Sequence, residues 1–319
     1  MKYVLIAIVL YLSALPAQAK NFPETWVYLM KGEEAFFPAD SPITDVACFS
    51  ATVDGDGNLK GGHLTPPALR GAKADVRYHL VITLPWNNTL AHIYLNPELP
   101  FRNRIIAGIV ERSKPFDGLQ VDFESIAKED GTAYLNFLAS VKKALPKDKV
   151  FSVAVMSRWE AHKQKNPNDA FDYPFIGMIA DRVVIMAYDE HYGGGTAGPI
   201  ASLPWCENIY TYALKTIDPD KLIMGIPLYG RGWQKQSFAK AYKNRELTAK
   251  LREKNIRPTS DSKNGGSFSY SETAEINVHF ETIQSLGAKM NLYATHPIRG
   301  VAFWRISQEP EGFWDAILK

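Results

Sequence analysis

Two kinds of apolar run alternate along this 319-residue chain. The first kind is short, rich in β-branched and aromatic residues, and little interrupted by polar positions. It covers residues 25–30 (TWVYLM), 43–52 (ITDVACFSAT), 77–84 (RYHLVITL), 118–124 (GLQVDFE), 151–157 (FSVAVMS), 182–189 (RVVIMAYD), 221–230 (KLIMGIPLYG) and 300–306 (GVAFWRI). Nearly continuous apolar runs of this length suit parallel strands covered on both faces. The second kind repeats at helical spacing. Ile105, Ile106, Ile109 and Val110 precede the fourth strand, and Tyr134, Phe137, Leu138 and Val141 follow it. Ile209, Tyr212, Ala213 and Ile217 precede the seventh, and Ile283, Leu286, Met290 and Tyr293 the eighth. Eight strands with helices between them predict an α/β fold, a (β/α)8 barrel of the TIM type. A doubly wound sheet is the alternative that the same pattern allows. Residues from about 231 to 275 are too polar and too numerous for a plain connection. They are expected to form a small insertion between strands seven and eight, with 243–255 helical and 261–266 a turn.

In the fourth run, FDGLQVDFES (116–125), strand alternation puts Gly118, Gln120, Asp122 and Glu124 on one face. Leu119, Val121 and Phe123 share the other. Two carboxylates on a face that a barrel turns inward need a reason, because an unpartnered buried charge is costly. Glu124 falls at the C-terminal end of its strand, where barrel active sites are built. Desolvation and the Asp122 charge should raise its carboxyl pKa. A carboxyl kept protonated in this way can give its proton to a leaving-group oxygen. The alternative is an acid pair neutralised by Arg or Lys elsewhere in the barrel. Other strand ends add to the chemical reading. The sixth puts Met186 and Tyr188 on one face with Asp189 at the tip, the seventh brings Tyr229, Arg231 and Trp233, and the eighth offers Trp304 as an apolar floor. Carboxylates, hydroxyls and an indole on one barrel end suit a pyranose ring, whose faces are apolar and whose edge carries hydroxyls.

Composition narrows the picture. Formal net charge is +2, falling to +1 without Lys2, and no block of like charge appears. That argues against a nucleic-acid or charge-driven membrane binder. Residues 1–19 combine Lys2, an apolar run to Leu15 and the small-x-small end Ala17-Gln18-Ala19, the pattern of a signal peptide. The mature chain is expected to start at Lys20, to form one barrel domain over 20–319 without a membrane span, and to work outside the cytoplasm. Cys48 and Cys206 make neither a disulfide framework nor a zinc site and are read as buried thiols. The seven histidines show no metal-ligand spacing. Gly193, Gly195 and Gly198 match a dinucleotide-binding spacing, but Pro199 follows where a helix should open, so a loop is expected. Asn87-Asn88-Thr89 fits a glycosylation sequon.

Taken together, FDGLQVDFE, VVIMAYDEH, KLIMGIPLYGRGW and GVAFWRI resemble the strand-end motifs of glycoside hydrolase family 18, the family of chitinases and related endo-β-N-acetylglucosaminidases. The resemblance covers nearly the whole chain after residue 19, in order and spacing. It implies a glycosidase with no cofactor and no metal, acting as a monomer on oligo- or polysaccharides that contain N-acetylglucosamine. Glu124 matches the general acid. No carboxylate nucleophile is expected, because this family uses the substrate's own N-acetyl group. Asp122 matches the residue that orients that acetamide and stabilises the oxazolinium-like intermediate, and Tyr188 the hydroxyl that donates to the acetamide carbonyl. Asp189, Tyr229 and Arg231 match sugar-contacting positions, and Trp304 the floor under the reacting sugar. Asp117, Gln120 and Met186 join the substrate-binding set. Gln120 departs from the pattern, since most members carry Asp there. A neutral amide can still hydrogen-bond Asp122, but it cannot relay a proton. This motivates an alternative, a catalytically weak or inactive glycan-binding barrel. The segment from Ser267 to Ile306 is similar to the spore-cortex-lytic branch, whose members cut peptidoglycan. Glu281, Ser285 and Lys289 stand where that branch has an acid, a serine and a lysine, and His279 where tryptophan is common. A secreted, periplasmic or cell-wall-associated enzyme of peptidoglycan or chitin is the expectation.

Overall fold

Eight parallel strands close on themselves: β1 (Glu24–Met30), β2 (Asp45–Val53), β3 (Arg77–Thr83), β4 (Gly118–Asp122), β5 (Val150–Met156), β6 (Arg182–Met186), β7 (Leu222–Pro227) and β8 (Gly300–Trp304). Each pairs with the next in the chain, and β8 pairs with β1, Ala302 standing opposite Trp26. Closure excludes the doubly wound sheet, which would leave two edges. The computed structural model describes residues 22–234, 244–261, 265–271, 273 and 276–317. The expected leader, residues 1–19, lies outside the described residues.

The four periodic patterns are helices Pro100–Ser113, Gly131–Ala144, Leu203–Thr216 and Ile283–Tyr293. Their apolar stripes bury against the outward-facing residues of the strands, Leu119, Val121 and Phe123 among them. Their starts follow local chemistry. Proline opens two of them, where its missing N–H costs nothing, and Thr282 and Ser285 form a reciprocal capping box on the last. Two connections depart from the repeating pattern. Among the described residues no α-helix joins β1 to β2 or β2 to β3; a single 3-10 turn (Glu34–Phe36) and a short strand (Leu59–Lys60) antiparallel to β2 take those places. The linking sequences, GEEAFFPADSP and DGDGNLKGGHLTPPALRG, are too rich in Gly and Pro for a helix. Asn87 of the sequon caps helix Asn88–Leu95, accepting from Leu90 N at 3.1 Å. Cys48 and Cys206 are separate buried thiols.

Between β7 and β8 the chain forms an insertion. Strands Gly230–Gln234 and Ile276–Phe280 pair antiparallel into a ribbon. Helix Asn244–Lys254 and a small hairpin (Thr259–Asp261 with Gly265–Ser267) lie between them, and residues 262–264 of the expected turn fall outside the described set.

Alternation sets the barrel interior. Trp26, Tyr28, Ala47, Val81, Val184, Ile223 and Ala302 fill its middle. One turn of the pleat below them, the same parity brings Glu24, Asp45, Arg77, His79 and Arg182 inward at the N-terminal end. Burial of these charges demands partners, and each has one. Arg182 donates to both Glu24 oxygens at 2.6–3.0 Å, and Arg77 bridges Glu24 and Asp45 at 2.9 Å. His79 Nε2 lies 2.7 Å from Asp45 Oδ1. Gly118 is required here, since a Cβ would strike the His79 ring. Burial alone would raise the Glu24 carboxyl, but the hydrogen bonds from Arg182, Arg77 and Trp26 outweigh it and hold it at about 2. A depressed carboxyl contributes stability that is present above its unfolded pKa and lost as pH falls through the folded value. Glu24→Gln is therefore expected to cost about 3–5 kcal/mol at pH 7, by leaving Arg182 unpaired. Urea melts should show the gap to wild type narrowing between pH 5 and pH 2; a gap that stays constant with pH would contradict this.

Candidate active site

The residues singled out on β4, β6, β7 and β8 meet at the C-terminal rim, although several lie just past the strands that carry them. β4 stops at Asp122, and Glu124 follows two residues later. β6 stops at Met186, ahead of Tyr188 and Asp189, and β7 stops at Pro227. The apolar pattern runs on beyond the last hydrogen-bonded pair, so the sequence reads as longer strands than the ladder contains.

Two cavities share the wall formed by Glu124, Met186, Tyr188 and Asp189. The first, of 330 Å³, is completed by Phe49, Asp122, Tyr229, Arg231, Trp304 and Gln308. The second, of 380 Å³, is completed by Trp86, Met156, Ser157 and Tyr192. Trp304 is braced on three sides, by Phe49 (centroids 4.7 Å apart, edge-on), Tyr28 (5.1 Å) and Tyr188 (6.5 Å, stacked). Tyr188 fits because β7 has glycine at 225; a Cβ there would come within 3.0 Å of its ring and 2.5 Å of the Ile185 carbonyl. Asp189 takes a left-handed backbone, φ 60°, which turns its carboxylate to the Tyr229 hydroxyl and to Arg231 Nη2 at 2.6 Å. That conformation costs a non-glycine residue about 1 kcal/mol or more and is common at functional sites.

Asp122 is 4% exposed, and its Oδ1 is buried without a hydrogen-bond partner among the described residues. Burial, and then the charge of Glu124, pushes its carboxyl well above the ordinary range. Glu124 is half-buried at the cavity wall. Its carboxyl also rises, through burial and then the charge of Asp189. Asp122 and Glu124 titrate as a pair, and the more exposed Asp189 adds its charge to the upward push on Glu124. Burial also keeps the Tyr188 hydroxyl protonated, as a donor.

Two expectations need correction. Gln120 has no exposed surface and cannot touch a ligand in the cleft. Nor is its amide turned to Asp122: Tyr28 OH donates to Oε1 at 2.7 Å, and Nε2 donates to Ser152 Oγ at 3.3 Å. Asp117 lies at the other end of the barrel. It precedes β4, is exposed, and accepts from Tyr78 N at 2.8 Å. Five strand residues put it about 16 Å below Asp122. Its place inside the motif, rather than any geometry, had suggested a role.

Sequence reasoning also overlooked Phe49, Gln308, Trp86, Met156, Ser157 and Tyr192. Phe49 follows Ala47 on the inward face of β2, so alternation alone could have found it. Trp86 and Tyr192 lie on loops, where no periodicity signals a role, and their exposure marks them instead: 73% and 62% for large aromatic rings. Glu281, Ser285 and Lys289 do come together, but away from both cavities. Lys289 Nζ lies 2.8 and 3.0 Å from the Glu281 oxygens, and Ser285 Oγ 2.5 Å. They anchor helix Ile283–Tyr293 to the end of the insertion ribbon. His279 packs edge-on against Trp233 at 6.0 Å, and Trp233 Nε1 donates to the Tyr192 carbonyl at 3.2 Å, tying the ribbon to the β6 loop.

Residues 100–309, which carry β4 to β8 and so most of this rim, match the glycosyl hydrolases family 18 pattern. The chain belongs to glycosyl hydrolase family 18. Among family relatives, YvbX of Bacillus subtilis (strain 168), an uncharacterized glycosylase, is 33% identical over 208 residues, 63% of this chain and 60% of that one. The cortical fragment-lytic enzyme of Bacillus anthracis is 29% identical over 280 residues, 83% of this chain and 65% of that one. Both matches thus span less than two thirds of the relative's length. The crystal structure of the Bacillus cereus spore cortex-lytic enzyme SleL superposes with a TM-score of 0.67 at 25% identity, over 92% of this chain and 73% of that one.

Because folding raises the Asp122 pKa, the native state binds more protons than the unfolded chain once pH exceeds the ordinary Asp value, and stability falls as pH climbs toward the raised value. Asp122→Asn removes that loss. It is expected to melt close to wild type at pH 4 and above it at pH 8, by differential scanning calorimetry. A gap of equal size at both pH values would mean that Asp122 is not the group responsible.

Proposed function

We propose that this family 18 barrel is an exported retaining glycosidase that hydrolyses β-linked N-acetylglucosamine glycans by substrate-assisted catalysis. Peptidoglycan is the leading substrate and chitin-type chains the next. The observation that carries this is the position of Glu124 in the wall common to both cavities, with Asp122 buried beside it. A sugar seated over Trp304 in the first cavity and its neighbour against Trp86 in the second place their shared oxygen at Glu124. The names of the cortex-lytic relatives support the peptidoglycan preference, and the residue 1–19 pattern supports export.

In this scheme the protonated Glu124 carboxyl gives its proton to the glycosidic oxygen. The acetamide carbonyl oxygen of the sugar over Trp304 attacks C1 from the opposite face as the C–O bond breaks. Asp122 accepts from the acetamide N–H and offsets the positive charge of the oxazolinium, while Tyr188 donates to the carbonyl oxygen. Water then opens the ring at C1, giving its proton to the Glu124 carboxylate, and two inversions leave the configuration retained. Asp189, fixed by Tyr229 and Arg231, holds Glu124 in its acid form. Gln120 motivates a second reading, a glycan-binding barrel with little turnover. It predicts oligosaccharide binding without cleavage.

Glu124→Gln is expected to lower release of reducing ends by about 10³-fold, in line with removal of a general acid, while the circular dichroism spectrum is unchanged. Wild-type turnover in this variant would overturn the assignment. Because the acid form of Glu124 is the active one, kcat/KM should fall as pH rises through its elevated pKa. Asp189→Asn removes the negative charge that helps to raise it, so the alkaline limb should move to lower pH. A limb that stays in place in a pH–rate profile would separate Asp189 from the acid.

A further inference from the structure

A separate polar groove lies beside the second cavity, where Ser157 of the cavity is followed in the chain by Arg158 of the groove. Glu124 and Ser157 are among the residues that line that cavity. Farther along the same two loops, Ile126 and Arg158 line this groove of 310 Å³ together with Lys128, His162, Lys165 and Asp169. Its charge is lopsided, with three cations against a single carboxylate. Asp169 is already committed: Arg158 grips both its oxygens, Nη2 to Oδ1 at 2.9 Å, with the guanidinium over the Phe171 ring at 5.2 Å. Tyr173 OH accepts from Arg158 N at 3.0 Å and fixes the backbone there. The remaining cations are Lys128 and Lys165. Among the described residues Lys128 pairs with Glu129 alone, 3.7 Å away and about as exposed as itself, and such a pair contributes little. Lys165 has no ion pair among the described residues. His162, its ring tilted against Trp159 at 5.1 Å between centroids, is pushed toward its neutral form by burial and then by Arg158. In the adjoining groove, which shares part of this lining, the charge reverses. That groove, of 450 Å³, shares Lys128 and Asp169 and adds Glu129 and Asp172.

We propose that Lys128 and Lys165 form a subsite for a carboxylate-bearing branch on the leaving-side sugar, with the acidic adjoining groove accepting a cationic group farther along that branch. This rests on the glycosidase reading for which sugar is cleaved, and it deepens that reading by choosing between its substrates. In N-acetylmuramoyl sugars with peptide branches the lactyl carboxyl is tied up as a neutral amide, but the peptide beyond it carries free carboxylates and, in many peptides, an amine. Chito-oligosaccharides carry neither. The groove therefore discriminates in favour of peptidoglycan-type chains.

The test uses Glu124→Gln protein, so that ligands are bound and not consumed. Calorimetry compares a muropeptide-bearing glycan fragment with chitotetraose, with and without Lys128→Ala and Lys165→Ala together. The double substitution is expected to weaken the fragment about tenfold, two exposed charge contacts' worth, and to leave chitotetraose unchanged. Salt at about 0.5 M should erase most of the difference, since such contacts are screened. Equal weakening of both ligands, no weakening of either, or no binding of the fragment at all overturns the subsite. If wild-type protein binds both ligands but cleaves neither, the glycosidase reading fails, while the binding comparison still decides the groove.

Discussion

Closure of the barrel is the constraint on which the site depends. Once β8 pairs with β1, every second residue of each strand points into a space closed to water, and a polar group there must find its partner across the barrel or remain without one. The interior is graded accordingly. At the N-terminal end Glu24, Asp45, Arg77, His79 and Arg182 each have a partner of opposite or potentially opposite charge, and only the His79 Nδ1 of this group is left without one among the described residues. In the middle, the two ends of the Gln120 amide match a donor on β1 and an acceptor on β5. At the rim Asp122 keeps an oxygen with no partner among the described residues. The same desolvation acts on Glu24 and Asp122. Two guanidiniums overcome it in the first case, and nothing does in the second, so one carboxyl is driven down and the other up.

This gradient explains why a neutral residue at 120 is tolerated. An acid there would add a third carboxyl beneath Asp122, at a level of the barrel whose described side chains provide a tyrosine hydroxyl and a serine but no cation. With an amide in place, the proton has two homes, Asp122 and Glu124, and the two titrate as a pair. Whichever carboxyl holds it, the other is ionised beside it. The scheme needs such a state: an acid facing the leaving oxygen, and an anion facing the charge that develops on the acetamide. Gln120 removes a third proton site without removing that division of labour.

The strands, the four long helices and the inward face of β4 were legible in the sequence because they rest on periodicity, which burial on both sides of a sheet enforces. Glu124, Asp122, Tyr188 and Trp304 were legible because they break that pattern at strand ends or carry a family motif. What was not legible depends on contacts between distant segments. Nothing local says that Gln120 faces Tyr28, 92 residues away, rather than Asp122 two residues on. Asp117 looked functional by motif and turned out to be on the opposite end of the barrel, because motif membership carries no direction along the strand. Trp86 and Tyr192 sit in loops, where ring exposure is set by the fold and not by spacing. The missing helices after β1 and β2 were readable after all, in the density of Gly and Pro.

The rim residues also show how a site can be held without a ladder. Glu124, Tyr188 and Asp189 lie past the last paired residues, so no strand hydrogen bonds fix their backbones to neighbours. Side-chain packing takes over. Phe49, Tyr28 and Tyr188 grip Trp304 from separate directions, and Gly225 leaves the gap that Tyr188 fills. Asp189 is pinned by Tyr229 and Arg231, and Arg231 in turn belongs to the insertion ribbon, opposite His279. The insertion therefore bears on the chemistry through one ion pair. It sets where the Asp189 charge stands, and that charge is part of what raises the Glu124 carboxyl. A chain of ordinary contacts, ribbon to Arg231 to Asp189 to Glu124, joins the segment least like the ideal barrel to the proton that the proposed reaction consumes.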